Sequence, residues 1–161
     1  MSKTQENPEV HRITESVADS LLLFARQWDE NAAEDIVQNA MLKLLRTPVL
    51  DNDNIVAWMF TVVRNEANDR FRNRKKRQLL NENYARSRRN WFEPDHESRL
   101  DAETVAENLE KLPLDTREII VAKIWGDLTY EEIAAMIGTS KSTVHRKYVE
   151  GISELRKMVD R

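Results

Sequence analysis

The chain has no cysteine, and only three glycines and four prolines among its 161 residues. Without cysteine there can be no disulfide, no thiolate-bound zinc and no thiol redox switch. His11, His96 and His145 lie far apart in sequence without metal-ligand spacing, so no metal site is expected. Scarce glycine and proline, together with the lack of any alternating strand pattern, point to an all-α protein. Long hydrophobic runs are also missing. None approaches the roughly 20 apolar residues that cross a bilayer, and the first residues, MSKTQENPEVHR, lack the apolar core of a signal peptide. No membrane insertion and a cytoplasmic location are therefore expected. There is no glycine loop to cradle a phosphate, and nothing places a nucleophile beside an oriented base. The expectation is no catalytic residue, no cofactor and no enzyme.

Charge is plentiful but unevenly spread. A third of the residues are charged and the formal net charge is −3. Between Arg64 and Arg89 lies a basic run: Arg64, Arg70, Arg72, Arg74, Lys75, Lys76, Arg77, Arg86, Arg88 and Arg89. Acids concentrate from Glu93 to Glu118 instead. Phosphate contacts supply most non-specific DNA affinity. A locally basic, globally acidic chain thus suggests weak DNA binding alone, with a larger partner holding it on the duplex.

Hydrophobic periodicity divides the chain into two small helical domains joined by a flexible linker. Residues 1–12 are expected to be disordered and residues 13–77 to form the first domain. Its opening helix has an inner stripe of Val17, Leu21, Phe24 and Trp28. Asn31 and Glu34 have the spacing of a capping box for a second helix. That helix carries Ile36, Val37, Ala40, Met41, Leu44 and Leu45 on its apolar face and ends at Thr47–Pro48. A third helix, from about Ile55, buries Val56, Phe60, Val63, Ala67 and Phe71. The polar stretch 78–102 reads as the linker, and 103–161 as the second domain. Val105, Leu109 and Leu112 open it. Asp115 and Glu118 have capping-box spacing before Ile119, Ile120 and Ile124, and Gly126 closes that helix.

The most specific pattern is LTYEEIAAMIGTSKSTVHRKYVEGISEL, Leu128 to Leu155. Thr129 and Glu132 form a capping box, Gly138 supplies a sharp exit, and Ser140 caps a second helix. Val144, Tyr148, Ile152 and Leu155 make its buried stripe. Lys141, Ser142, Thr143, His145, Arg146 and Lys147 are left facing outward in its first turns. This is a helix-turn-helix whose second helix can reach base edges and phosphates.

AEDIVQNAMLKLL (Ala33–Leu45), AWMFTVVRNEANDRFRNRKKR (Ala57–Arg77) and LPLDTREIIVAKIWGDLTYEEIAAMIGTSKSTVHRK (Leu112–Lys147), in that order, resemble the bacterial RNA polymerase sigma factors of the extracytoplasmic-function group. The resemblance implies a transcription initiation factor that binds core RNA polymerase and promoter DNA. It also makes an anti-sigma protein a candidate partner. It places core-polymerase contacts on Asp35, Gln38 and Asn39. It puts −10 contacts on the third helix and the loop before it: Asp51, Asn52, Asp53, Asn54, Arg64, Asn65, Asn68, Arg72, Arg74 and Lys75. It puts −35 contacts on Lys141, Ser142, Thr143, His145, Arg146, Lys147, Val149 and Glu150. Trp58 can either stack near DNA or pack on a neighbouring helix, and its helical spacing favours packing. His145 and Glu150 stand where the family commonly has basic residues. Two other readings compete: a stand-alone helix-turn-helix regulator, and a helical adaptor that binds protein only.

Overall fold

The computed structural model describes residues 8–47, 55–78 and 106–160. Every regular element among them is helical. The order is α1 (Pro8–Arg26), α2 (Ala33–Arg46), α3 (Ile55–Gln78), α4 (106–110), α5 (Leu114–Ile124), α6 (Tyr130–Ile137) and α7 (Lys141–Val159). Helix α1 begins at Pro8, so residues 8–12, expected to be disordered, are helical. The expected linker beyond Gln78, and Asp51, Asn52, Asp53 and Asn54, lie outside the described residues.

Helices α1, α2 and α3 pack on one another, and α5, α6 and α7 do the same. Leu21, Phe24, Ile36, Ala40, Met59, Phe60, Val63 and Ala67 fill the first interior. Phe24 anchors it, with its ring centroid 4.9 Å from Trp28 and 5.0 Å from Phe60. Leu109, Leu112, Ile119, Ile120, Ile133 and Val144 fill the second. The two interiors merge into one hydrophobic cluster. Helix α5 lies between α1 and α7, which explains why Ile119, Ile120, Val121 and Ala122 are all buried rather than only one stripe of them. Ile124 is exposed at the end of that helix.

Among the described residues, three polar struts cross between the halves. Ser20 Oγ donates to the Trp125 carbonyl at 2.7 Å, and Arg117 Nη2 donates to the Gln27 carbonyl at 3.2 Å. Arg64 Nε donates to Glu118 Oε2 at 2.8 Å. Gly126 allows close approach at this junction. A Cβ there would lie 2.7 Å from both the Phe60 Cζ and the Ala122 carbonyl oxygen.

Caps differ from expectation in two places. Helix α2 has Ala32 at its N-cap without a side-chain bond, and Asp29 Oδ1 instead accepts from the Asn31 and Ala32 amides. Helix α5 has Pro113 at its N-cap, also without a side-chain bond. Glu118 is thus freed from capping, whereas Asp115 Oδ1 accepts from the Thr116 amide at 2.9 Å, and each acid also bonds a distant cation. The Thr129–Glu132 capping box is complete, with the hydroxyl accepting from the Glu132 amide at 3.1 Å and the carboxylate from the Thr129 amide at 3.0 Å.

Candidate nucleic-acid interface

The turn between α6 and α7 sets the direction of the second helix. Gly138 sits at φ 82°, a left-handed conformation that costs a glycine little. Its amide and that of Thr139 both donate to the Ala134 carbonyl, tying off the end of α6. Ser140 Oγ accepts from the Thr143 amide at 3.2 Å and starts α7. Val144 is fully buried, and Tyr148, Ile152 and Leu155 pack on the core behind it. With that face fixed, Lys141, Ser142, His145, Arg146, Val149 and Glu150 point to solvent, and Thr143 and Lys147 are half-buried beside them. A contiguous polar and cationic surface on the first turns of a helix-turn-helix can enter a major groove.

Its cations are engaged internally. Lys141 Nζ lies 2.6 Å from Glu131, and Lys147 Nζ lies 2.7 Å from Asp115. The Lys141 hydrogen bond holds the Glu131 carboxyl below its ordinary range, and that of Lys147 does the same for Asp115. Arg146 reaches Glu150 at 4.0 Å, with both side chains well exposed, so this pair contributes little. His145 meets the Tyr130 ring edge-on at 5.1 Å, and Lys123 covers that ring at 4.5 Å.

On α3 the residues assigned to DNA divide into different environments. Asn65 and Arg72 are exposed, and Asn68 is half-buried. Arg64 faces the second half, 18% exposed beside a Glu118 that is 4% exposed. Arg74 Nη1 pairs with Asp29 at 3.1 Å, and Lys75 Nζ sits 5.0 Å from the Phe71 ring centroid. Trp58 is half-buried and packs against the core, as its spacing favoured.

Helix α2 presents Asp35 and Gln38 to solvent, whereas Asn39 turns inward, donating to Glu66 Oε1 at 2.7 Å. Arg70 joins the same carboxylate oxygen at 3.2 Å, so this network braces α2 against α3. Leu42 is 48% exposed and Leu45 63%. Leu45 was expected inside. With Asp35 and Gln38 these leucines follow helical spacing along one side of α2. The sequence signal for the stripe was an apolar residue at 42 opposite the Ile36–Ala40–Leu44 face.

Among the described residues no group of acids and histidines could hold a metal ion, and no helix is long and apolar enough to cross a membrane.

The model of sigma-70 region 2 matches residues 13–77, and that of sigma-70 region 4 matches residues 103–155. The chain is 32% identical over 136 residues to the ECF RNA polymerase sigma factor EcfG of Rhodopseudomonas palustris, a match covering 79% of this chain and 74% of that one. It is 27% identical over 137 residues to the RNA polymerase sigma factor SigV of Bacillus subtilis, covering 84% and 80%. Its fold matches that of the sigma factor RpoE from Bartonella quintana, solved in complex with the anti-sigma factor NepR. That match has a TM-score of 0.76 at 22% identity and covers 94% of this chain and 96% of the other. CnrH, solved with the cytosolic domain of CnrY, gives 0.64 at 23% identity and covers 98% and 92%.

Proposed function

Because the chain belongs to the extracytoplasmic-function RNA polymerase sigma factors, we propose that its exposed helix faces divide the work of promoter-directed initiation. As a transcription initiation factor it binds core RNA polymerase and promoter DNA. In our reading residues 13–77 dock on polymerase and read the −10 element, 78–102 link, and 103–161 read the −35 element. The protein acts in the cytoplasm by binding and carries out no covalent chemistry.

The observation that carries the −35 assignment is the geometry of α6 and α7, which turns Ser142, His145, Arg146, Val149 and Glu150 outward together. Arg146 is the residue suited to a bidentate pair with guanine, and Glu150 can accept from a cytosine amino group. Asn65, Asn68 and Arg72 on α3 face the −10 strand, with Asp51, Asn52 and Asn54 of the preceding loop capturing a flipped base. Flipping costs a few kcal/mol, which contacts to the extruded base must offset. The polymerase contact is the stripe of Asp35, Gln38, Leu42 and Leu45. Asn39 serves it indirectly, by bracing α2 on Glu66. An anti-sigma protein would compete for these faces. The support for such a partner is that one structural neighbour, the sigma factor RpoE, was solved with an anti-sigma factor.

The test is run-off transcription by core polymerase, with and without the protein, on a pooled promoter library. Protein-dependent transcripts sharing two upstream elements at fixed spacing are expected. Silence with the polymerase of the same organism, from folded protein and beside an active control sigma factor, would overturn the reading.

A further inference from the structure

Tyr130 opens α6, and its half-buried ring packs against the core where α5, α6 and α7 come together. Three side chains surround that ring. Lys123 of α5 sets its ammonium 4.5 Å from the ring centroid while donating to the Leu128 carbonyl at 3.2 Å. Tyr148 of α7 meets the ring at 5.8 Å with the planes 64° apart. His145, three residues earlier on α7, meets it at 5.1 Å and 89°. Held by Lys123 and Tyr148, Tyr130 is a fixed platform, and His145 is the member of the group that is exposed to solvent.

An exposed histidine on a helix ordinarily moves among its rotamers. A near-perpendicular pair of rings is a preferred aromatic geometry, so contact with Tyr130 favours one orientation of the imidazole over the others. His145 also shares the outward face of α7 with Ser142, Arg146 and Val149. An imidazole carries at least one N–H in every protonation state, and every base pair presents an acceptor in the major groove. Orienting that donor before binding removes the rotamer entropy that ordering it on DNA would otherwise cost.

We propose that Tyr130 is a positioning residue for promoter reading: it holds the His145 imidazole so that an N–H meets an acceptor on one base of the −35 element. This rests on the assignment of α7 to the −35 element given above. Tyr130 acts through His145 and not on DNA itself. Specificity at that base pair then depends on a ring carried by the supporting helix, whereas the neighbouring Arg146 reads its own base pair without it.

The experiment is run-off transcription by core polymerase with the full chain on the pooled promoter library. Each variant's −35 preference is read base pair by base pair, well below its melting temperature. His145→Ala should lower the preference at one base pair about three- to tenfold, the worth of one hydrogen bond. Tyr130→Leu should lower it at the same base pair by a comparable factor, and Tyr130→Phe, which keeps the ring, should retain it. Adding His145→Ala to Tyr130→Leu should cause no further loss there. Thr129→Ala weakens the start of the same helix without removing the ring, and it should leave the preference in place. Proton NMR of the free chain gives a second readout. The His145 ring signals, assigned by their loss in His145→Ala, should be displaced by the Tyr130 ring current. Tyr130→Phe should keep that displacement and Tyr130→Leu should abolish it. The proposal is overturned if Tyr130→Leu keeps the preference, if it weakens all −35 positions evenly, if Tyr130→Phe behaves like Tyr130→Leu, or if the imidazole signals do not respond to residue 130. An unaltered chain with no −35 preference would reject the −35 reading and the proposal with it. A selective unaltered chain whose Tyr130→Leu variant selects identically would reject the proposal alone.

Discussion

Arg64 and Glu118 meet across the junction of the two halves, with Nε 2.8 Å from Oε2 and the carboxylate almost wholly removed from water. Each has an obvious local role in the sequence. Arg64 heads a basic run, and Glu118 stands three residues after Asp115 like the second half of a capping box. The fold gives them to each other. A proline at the N-cap of α5 leaves Glu118 no capping work, and the Phe60–Gly126 contact brings α3 close enough for the guanidinium to reach it.

This pair makes a pH prediction. Burial pushes the Glu118 carboxyl above its ordinary value of 4.5, against the opposing hydrogen bond and charge of Arg64; Asp115 adds to the rise and Lys147 opposes it. The folded chain therefore holds this proton at pH values where the unfolded chain has released it. Glu118 then contributes a loss of stability as pH rises from 4.5 through its elevated folded value, and a recovery on acidification over the same window. Asp115 is lowered from 3.8, chiefly by its hydrogen bond to Lys147, so its contribution is lost only as pH falls below that value. Melting temperatures of the full chain and of Glu118→Gln, measured from pH 4.5 to neutrality, should differ most at the neutral end. Parallel curves would show that Glu118 does not titrate differently in the fold.

Gly126 offers an independent probe of the same junction. A methyl group there would press on Phe60 Cζ and the Ala122 carbonyl at 2.7 Å and on Leu128 Cδ1 at 2.9 Å. Overpacking of this kind costs about 1–3 kcal/mol. Gly126→Ala should lower unfolding free energy by that amount in urea titrations, with helix content at the start of the titration retained.

Local signals in the sequence were accurate where local chemistry decides. Thr129, Glu132, Gly138 and Ser140 occupy the positions their residue types specify, because caps and a left-handed turn depend on neighbours within a few bonds. The stripe Val144–Tyr148–Ile152–Leu155 was legible for the same reason. What the sequence concealed depends on tertiary placement. Asn39 turns to Glu66 on another helix, Leu45 and Ile124 are left outside, and Asp29 replaces Asn31 in serving the start of α2. Helical spacing alone does not reveal which neighbour a face will meet.

The polymerase and −35 faces should be separable by mutation. Arg146 is exposed on α7, and Asp35 and Gln38 are exposed on α2. Arg146→Ala should lose about 1–3 kcal/mol of discrimination at one −35 base pair while pull-down of core polymerase is unchanged. Asp35→Ala with Gln38→Ala should weaken the pull-down and leave −35 discrimination by the polymerase-bound protein intact. Equal loss of polymerase binding by both variants would contradict separate surfaces.

Orientation of α7 depends on α6, so a cap remote from any base should affect promoter reading through stability. Removing the Thr129 hydroxyl leaves the Glu132 amide without its acceptor and breaks the reciprocal bond pair at the start of α6. Loss of an N-cap costs about 0.5–2 kcal/mol. Thr129→Ala should lower the unfolding free energy from urea titrations by that amount, and Thr129→Ser, which keeps the oxygen, should recover most of it. At temperatures well below melting both variants should select the same −35 sequence as the parent, because Arg146 and Glu150 keep their place on a folded α7. A changed sequence preference in Thr129→Ala under those conditions would mean that the cap fixes the angle of the recognition helix as well as its stability.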